Sequence, residues 1–444
     1  MRSRKIILVV PPSPYHSLDG WEGVENAPLE GASIAATVLS CAGYDVDYFD
    51  FRCSPTIVDS VIGGISSEDA VCLAGSPDGY VFIKEFAQNV KHCHADVPVI
   101  LGGPLATISW HTVLLTTRVD FCVLGECERT LPELMSSLST WRDPMGIPVA
   151  FRTKDGTVSP GAAWTPADMD GVPCPDYWLW ASNTGGRFPA VVCYSTQRGC
   201  RESCTFCANP WNCTWRAASR QKIKNDLCRL KEQGMTEVWL NDPTFNTRMD
   251  HSRDTTQTLS ELNIPWSCSI RAKEASYELF RAMRDGGCRA AFLGVESADD
   301  ELLARHNKGI CVSDTEACLD AARRAELHVV GFLLLGLPGE TGISLGKTLD
   351  FVRRNWFVPR ARFAVPYPGT RLFDMYVKAH LDRFPSAEAL ESYVLEMMST
   401  RLLDTVDGPW LMPDVGVTAD QLRVAMKTIE DIAAQRLSST EEKP

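Results

Sequence analysis

Three cysteines, Cys200, Cys204 and Cys207, stand within eight residues in the run Arg198-Gly-Cys-Arg-Glu-Ser-Cys-Thr-Phe-Cys. The spacing Cys-x3-Cys-x2-Cys makes this segment a loop that wraps one small inorganic centre. Three thiolates leave that centre one ligand short, because a [4Fe–4S] cluster normally takes four cysteines. An open metal position is where chemistry happens, as at catalytic zinc. The competing reading is structural zinc with Cys213 as fourth ligand, but zinc sites usually come as two Cys-x2–4-Cys pairs. A disulfide is not expected, since nothing in the chain looks secreted.

The chain has 444 residues, enough for two or three domains, and 45% hydrophobic and 23% charged residues mark it as globular. Its first apolar run, Ile6–Val10, is too short for a signal-peptide core or a membrane span. The expectation is a cytoplasmic protein with no membrane contact. Lys and Arg total 44 against 56 Asp and Glu, and a net charge of −12 argues against nucleic acid, which selects a basic footprint. Seventeen cysteines is many, but none follows Cys318, so a second carboxy-terminal cluster has no ligands there. Most of the others are expected as small core residues.

The first 140 residues alternate short apolar runs with helical stretches. Strands are expected at Lys5–Val10, Tyr44–Phe49, Ala70–Ala74, Val97–Leu101 and Phe121–Leu124, with a helix Gly31–Ala42 stopped by Gly43. This pace predicts a doubly wound parallel sheet, whose ligands sit at the carboxyl ends of the strands. The loops there are Pro11–Pro28, Gly75–Gly79, Gly102-Gly103-Pro104 and Gly125-Glu126. Residues 141–189 read as a linker, with Trp164, Trp178 and Trp180 as packing residues. From Ala190 to about Phe373 strands are expected at Ala190–Ser195, Glu237–Leu240, Trp266–Ile270, Ala290–Gly294, Val329–Leu335 and Arg360–Val365, with helices such as Gln221–Gln233 and Ser313–Ala325 between them. Six strands with outer helices predict a partial (β/α) barrel over residues 190–375, and the cysteine loop follows its first strand on the face where barrel enzymes carry chemistry. Residues 376–444 read as a short cap closing the substrate side, with helices Val377–Arg401 and Thr418–Gln435 and a disordered tail Ser438–Pro444.

The cysteine cadence resembles the signature of the radical S-adenosylmethionine (SAM) superfamily. In that family the open iron of a [4Fe–4S] cluster chelates SAM, and an electron from the cluster yields a 5′-deoxyadenosyl radical. Other pieces match in order: Leu240-Asn-Asp-Pro-Thr-Phe245, Gly294-Val-Glu-Ser297, Asn307-Lys-Gly309, Gly331-Phe-Leu-Leu-Leu-Gly-Leu-Pro-Gly-Glu-Thr341 and Pro366-Tyr-Pro-Gly-Thr370. The resemblance implies Cys200, Cys204 and Cys207 as cluster ligands and Glu296 and Arg271 as SAM contacts. It also implies Asp242, Gly294, Ser297, Pro366 and Phe206 around SAM, Phe206 near the adenine. A flavodoxin or ferredoxin is the electron donor so implied.

Residues 4–140 resemble the cobalamin-binding (B12) domain found before many such cores. The matching pieces are Val9-Val-Pro-Pro, Ala42-Gly-Tyr-Asp-Val, Leu101-Gly-Gly-Pro and the stretch Val119–Leu131. Gly102 and Gly103 would let backbone approach the ligand, and Ser76 and Thr107 would hydrogen-bond a nucleotide tail. No Asp-x-His-x-x-Gly loop occurs, and His16, His92, His94 and His111 lack that context. Cobalamin is therefore expected without a histidine ligand, with Tyr15 or Trp21 as a wall below the cobalt.

Two enzyme readings follow. In the first, cobalamin-dependent C-methylation of a small-molecule secondary metabolite such as an antibiotic precursor, one SAM supplies the methyl and a second the radical. The second is a cobalamin-independent dehydratase or epimerase of a sugar or aminocyclitol, with Cys268, Cys288 or Cys311 as possible hydrogen donors. A non-catalytic cobalamin or iron–sulfur sensor is the alternative from another class.

Overall fold

A computed structural model of the chain describes residues 4–13, 27–53, 58–139, 144–153, 156–208, 214–400 and 412–441. Tyr15, His16, Trp21 and Cys213 lie outside the described residues.

The amino-terminal strands are β1 (Lys5–Val10), β2 (Asp45–Asp50), β3 (Ala70–Ala74), β4 (Val99–Gly102), β5 (Phe121–Val123), β6 (Val149–Arg152) and β7 (Val158–Ser159). They form one sheet in the order β2-β1-β3-β4-β5-β6-β7. β1 to β5 pair in parallel. The unbroken apolar run of β1 is what a strand covered on both faces requires. Ile7 and Val9 pack with Phe86 and Val90 of helix Tyr80–Cys93. Ile6, Leu8 and Val10 point the other way, onto Ala36 and Leu39 of helix Glu30–Cys41 and Leu134 of helix Cys127–Ser139. The expected doubly wound sheet is thus present, but it takes two strands from the segment read as linker. β6 and β7 add antiparallel and cover the edge that the three-residue β5 would otherwise leave open. Trp180, in the same segment, is buried and donates Nε1 to Asp50 Oδ2 at 3.0 Å, whereas Trp178 is 46% exposed and is not a core residue.

The second unit opens with β8 (Val191–Tyr194) and a hairpin of β9 (Gln197–Arg198) and β10 (Arg216–Ala217). It continues with β11 (Glu237–Leu240), β12 (Trp266–Ile270), β13 (Cys288–Glu296), β14 (Val329–Leu335) and β15 (Val358–Phe363). β8 and β11 to β15 are parallel, and their order in space, β15-β14-β13-β12-β11-β8, follows the chain. This is the partial barrel read from the sequence. The layer between this sheet and its outer helices is anchored by the fully buried Trp266, whose ring lies 5.1 Å from that of Phe245.

The carboxy-terminal region departs most from expectation. Val377–Arg401 is not one helix: Arg371–His380 and Ala387–Thr400 are separate. Pro385 is the cause, because the residue before a proline is driven out of the helical region, and Phe384 sits at φ −127, ψ 149. Nor do these pieces simply close the substrate side. Helix Ala387–Thr400 braces the amino-terminal unit, with Ser392 at 2.9 Å from the Tyr80 hydroxyl and Glu396 at 2.9 Å from Lys84. The last helix runs Ala419–Glu441, through the start of the tail expected to be disordered, and packs outside β15. Arg436 ties it down by donating to the Val352 carbonyl at 2.7 Å.

Candidate active site

The carboxyl ends of both sheets face each other, and the cysteine loop leaves β8 at that junction. Asp242, at the end of β11, fixes the start of the loop. Its carboxylate accepts from Thr196 N at 2.7 Å, Thr196 Oγ1 at 2.6 Å, Gln197 N at 3.1 Å and Gln197 Nε2 at 3.2 Å. Burial pushes Asp242 up to about 6 despite these bonds. Asp242, expected around SAM, is therefore engaged by the chain itself. Gly199 follows at φ +84, a turn that glycine adopts without strain, and leads to Cys200.

The far side of the loop is pinned twice. Thr205 Oγ1 meets His306 Nδ1 at 2.6 Å, and the Thr205 carbonyl accepts from Leu372 N at 3.1 Å. Glu202 pairs with Arg271 at 2.7 Å, and Arg271 also donates to the Lys308 carbonyl. Arg271, expected at SAM, thus holds the cluster loop, and its Nε is buried without a partner. Burial pushes the Cys204 thiol up to about 11, with the Lys308 ammonium and the Arg271 guanidinium opposing that shift. Two fixed cations beside the loop favour the thiolate form in which cysteine ligates iron, although the described residues do not gather the three thiols around one metal position.

Glu296 and Lys308 form the buried pair beside Cys204, 2.7 Å apart. Gly294 makes room for them, because a Cβ there would stand 2.6 Å from both Glu296 Oε1 and Lys308 Nζ. Glu296 itself holds φ +61, a strained value for a side-chain-bearing residue and one that marks functional positions. Lys308 Nζ also lies 5.9 Å from the centre of the Phe206 ring, and that ring lies 6.4 Å from His306. Ser297 turns away: its Oγ meets Thr348 Oγ1 at 3.2 Å, inside the packing of helix Gly342–Arg354. Pro366 lies in the loop after β15.

Glu340, in the Gly-Leu-Pro-Gly-Glu turn after β14, is fully buried. It accepts from Gly336 N at 2.5 Å, and its Oε1 has no partner. Burial pushes its carboxyl from 4.5 up to about 7. A raised carboxyl favours the protonated folded state, so the associated stability is full below about 4.5 and is lost as pH rises through 7. Glu340→Gln should therefore gain stability relative to the parent between about pH 5 and about pH 8, by on the order of 3 kcal/mol. Unfolding midpoints of the two proteins across that range check this, and a constant difference would contradict it.

On the amino-terminal side a cavity of about 400 Å³ is lined by Ser76, Gly102, Gly103, Gly125, Glu126 and Glu128 and, across the junction, by Ser195, Arg198, Gly199 and Asn241. No histidine is among the described lining residues. Gly103, at φ +89, runs so close to β3 that a Cβ would lie 2.8 Å from the Gly75 carbonyl oxygen. Gly102 borders open space. Thr107, expected as a ligand contact, is not at the cavity wall. Its Oγ1 accepts from Gly125 N and donates to the Gly103 carbonyl, both at 3.1 Å. The glycine-lined mouth and the acidic wall of Glu126 and Glu128 fit a large ligand bearing hydrogen-bond donors, as a corrin with its carboxamide arms is.

The residues that join the two units carried no assigned role in the sequence. Glu30 accepts from Ser195 N at 2.6 Å and Ser195 Oγ at 2.5 Å. Arg198 reaches Glu128 at 2.7 Å and Glu126 at 3.3 Å, and Arg216 reaches Glu126 at 2.7 Å. Glu126 and Glu128 stood inside the Val119–Leu131 stretch and Lys308 inside Asn307-Lys-Gly309, but partners this far apart in sequence leave no local pattern.

Residues 194–352 match the radical SAM superfamily model, and residues 27–135 match the B12 binding domain model. The chain thus carries a B12-binding domain followed by a radical SAM domain. Its cofactors are a [4Fe–4S] cluster, SAM and cobalamin. The chain is 28% identical over 400 residues to an uncharacterized methyltransferase of Pyrococcus horikoshii, covering 86% of this chain and 85% of the relative. It is 26% identical to cytidylyl-2-hydroxyethylphosphonate methyltransferase of Streptomyces wedmorensis, covering 77% and 76%. Among solved structures, TsrM from Kitasatospora setae with cobalamin and a [4Fe–4S] cluster bound aligns with TM-score 0.66 at 15% identity, over 98% of this chain and 100% of that one. The cobalamin-dependent SAM radical enzyme OxsB, with aqua-cobalamin and SAM bound, aligns with TM-score 0.67 at 16% identity, over 99% and 62%. At these identities the likeness is one of fold. Among the described residues, no helix of this radical SAM enzyme is long and apolar enough to cross a membrane.

Proposed function

We propose that this radical SAM enzyme is a cobalamin-dependent methyltransferase that places a methyl group on an unactivated carbon of a small molecule. The observation that carries the proposal is the cavity whose wall runs from Gly102-Gly103 at the end of β4 to Arg198-Gly199 at the end of β9, immediately before Cys200. When bound, the cluster supplies an electron, SAM a methyl group and an adenosyl radical, and cobalamin a methyl carrier.

The chain's own residues divide the work. Cys200, Cys204 and Cys207 hold the cluster, and Thr205, Glu202 and Arg271 hold their loop. Glu296 and Lys308 offer the amino and carboxylate groups of SAM an opposite charge each. Gly102 and Gly103 let backbone lie against the corrin, with Ser76 and Glu128 at its edge. The methyltransferase names of the relatives support the reading. So does the placement of the thiols that an epimerase would use: Cys268 and Cys288 are buried in the core, and Cys311 caps helix Val312–Arg324. A flavodoxin or ferredoxin would deliver the electron in the cytoplasm, and a secondary metabolite would be the acceptor.

The test is to incubate the anaerobic, cobalamin-loaded enzyme with reductant, methyl-labelled SAM and a small-molecule extract. Methyl transfer predicts S-adenosylhomocysteine and 5′-deoxyadenosine in about equal amounts, with label in a new low-mass product. 5′-Deoxyadenosine without S-adenosylhomocysteine would instead indicate dehydration or epimerisation.

A further inference from the structure

Arg198 occupies an unusual place. It is two residues before the first cluster ligand, Cys200, separated from it only by Gly199. Its backbone is fixed, because β9 pairs antiparallel with β10 through Arg198 and Arg216. Its side chain leaves the core unit and is gripped by the amino-terminal unit, 2.7 Å from Glu128 Oε1 and 3.3 Å from Glu126 Oε1. All three side chains are at least 85% buried, at 15%, 10% and 5% exposure. An ion pair this dry has few alternative partners, so displacement of one member displaces the other. Glu126, Glu128, Arg198 and Gly199 all line the cavity. The second carboxylate oxygen of Glu128, Oε2, is closed off behind that wall and has no hydrogen-bond partner.

We infer that the Glu128–Arg198 pair couples the two cofactor sites. A donor on the occupant of the cavity, such as a corrin carboxamide, meets the acidic wall formed by Glu126 and Glu128. The pair then holds the β9–β10 strand pair as a unit, and Arg198, its last residue before Gly199 and Cys200, carries that position to the cluster loop. Arg198 is thus a positioning residue for the cluster. This rests on the proposed function, in that the occupant is cobalamin. Coupling of this kind is reciprocal: if cobalamin favours one arrangement of the cluster loop, the cluster favours cobalamin by the same factor.

The experiment titrates hydroxocobalamin into the anaerobic full-length chain in two states, with the cluster reconstituted and with iron removed by a chelator. Parent, Arg198→Met and Glu128→Gln proteins are compared. The parent should bind cobalamin about fivefold or more tightly when the cluster is present. Hydroxocobalamin should also change the electron paramagnetic resonance spectrum of its reduced cluster. In either variant that still takes up iron the affinity ratio should fall to about 1, with the spectrum insensitive to hydroxocobalamin. A residue that merely supports the fold would weaken both affinities alike and leave the ratio intact, so a preserved ratio overturns the inference. Equal affinities and an unchanged spectrum in the parent overturn it without any variant, and leave the cavity assignment standing. No cobalamin binding by the parent in either state overturns both.

Discussion

Exchanging Cys204 for alanine should leave a folded protein that holds far less iron than the parent and releases no 5′-deoxyadenosine above the reductant blank. The fold should survive because the loop is held by groups other than the thiol: Thr205 on His306 and Leu372, and Glu202 on Arg271. The cluster should not survive, because three protein ligands are the minimum that leaves one iron for substrate, and two leave half the usual set. Cys193→Ala is the matched control. That thiol is half-buried in β8, outside the Cys200–Cys207 run, and desolvation pushes it up to about 12, so it does not ionise. It should keep full iron and full SAM cleavage. Iron analysis and product chromatography on the two variants check the prediction, and SAM cleavage by Cys204→Ala with an intact cluster spectrum would contradict it.

Lys308→Met should cost about 3–5 kcal/mol of stability, the range for removing one partner of a buried ion pair. Both side chains of the Glu296–Lys308 pair are about nine-tenths buried, at 10% and 11% exposure, so water cannot replace the lost ammonium. Glu296 cannot swing away either. Its backbone is fixed at φ +61 by the register shift between β13 and β14, and Gly294 lies directly beneath it. Adding Glu296→Gln to Lys308→Met should recover most of the loss, because a neutral amide costs far less to bury than an unpaired carboxylate. Chemical unfolding of the parent, single and double variants forms the cycle. A double variant no more stable than Lys308→Met would show that the pair is not the source of the effect.

The parts of this protein legible in the sequence are those with a short-range physical cause. Ile6–Val10 announces a doubly covered strand, and Cys200–Cys207 a ligand loop, because each pattern is complete within a few residues. The Gly102-Gly103 approach is legible for the same reason. Pro385 interrupts the single helix that the apolar periodicity of Val377–Arg401 predicts, because it acts on the backbone of Phe384 and leaves that periodicity intact. What the sequence hides is long-range. Nothing local pairs Glu30 with Ser195, or Glu128 with Arg198, and nothing marks Asp242 as the anchor of a loop some forty residues earlier. β6 and β7 are hidden for a related reason: a four-residue strand and a two-residue strand form only because β5 offers them an edge.

The measurement that bears most directly on the central claim is metal analysis of the full-length chain, purified without oxygen from cells supplied with cobalamin. The account predicts about four irons and about one cobalt per chain, with the absorbance of both an iron–sulfur cluster and a corrin. Four irons with no cobalt, in protein that also fails to take up added hydroxocobalamin, would contradict it.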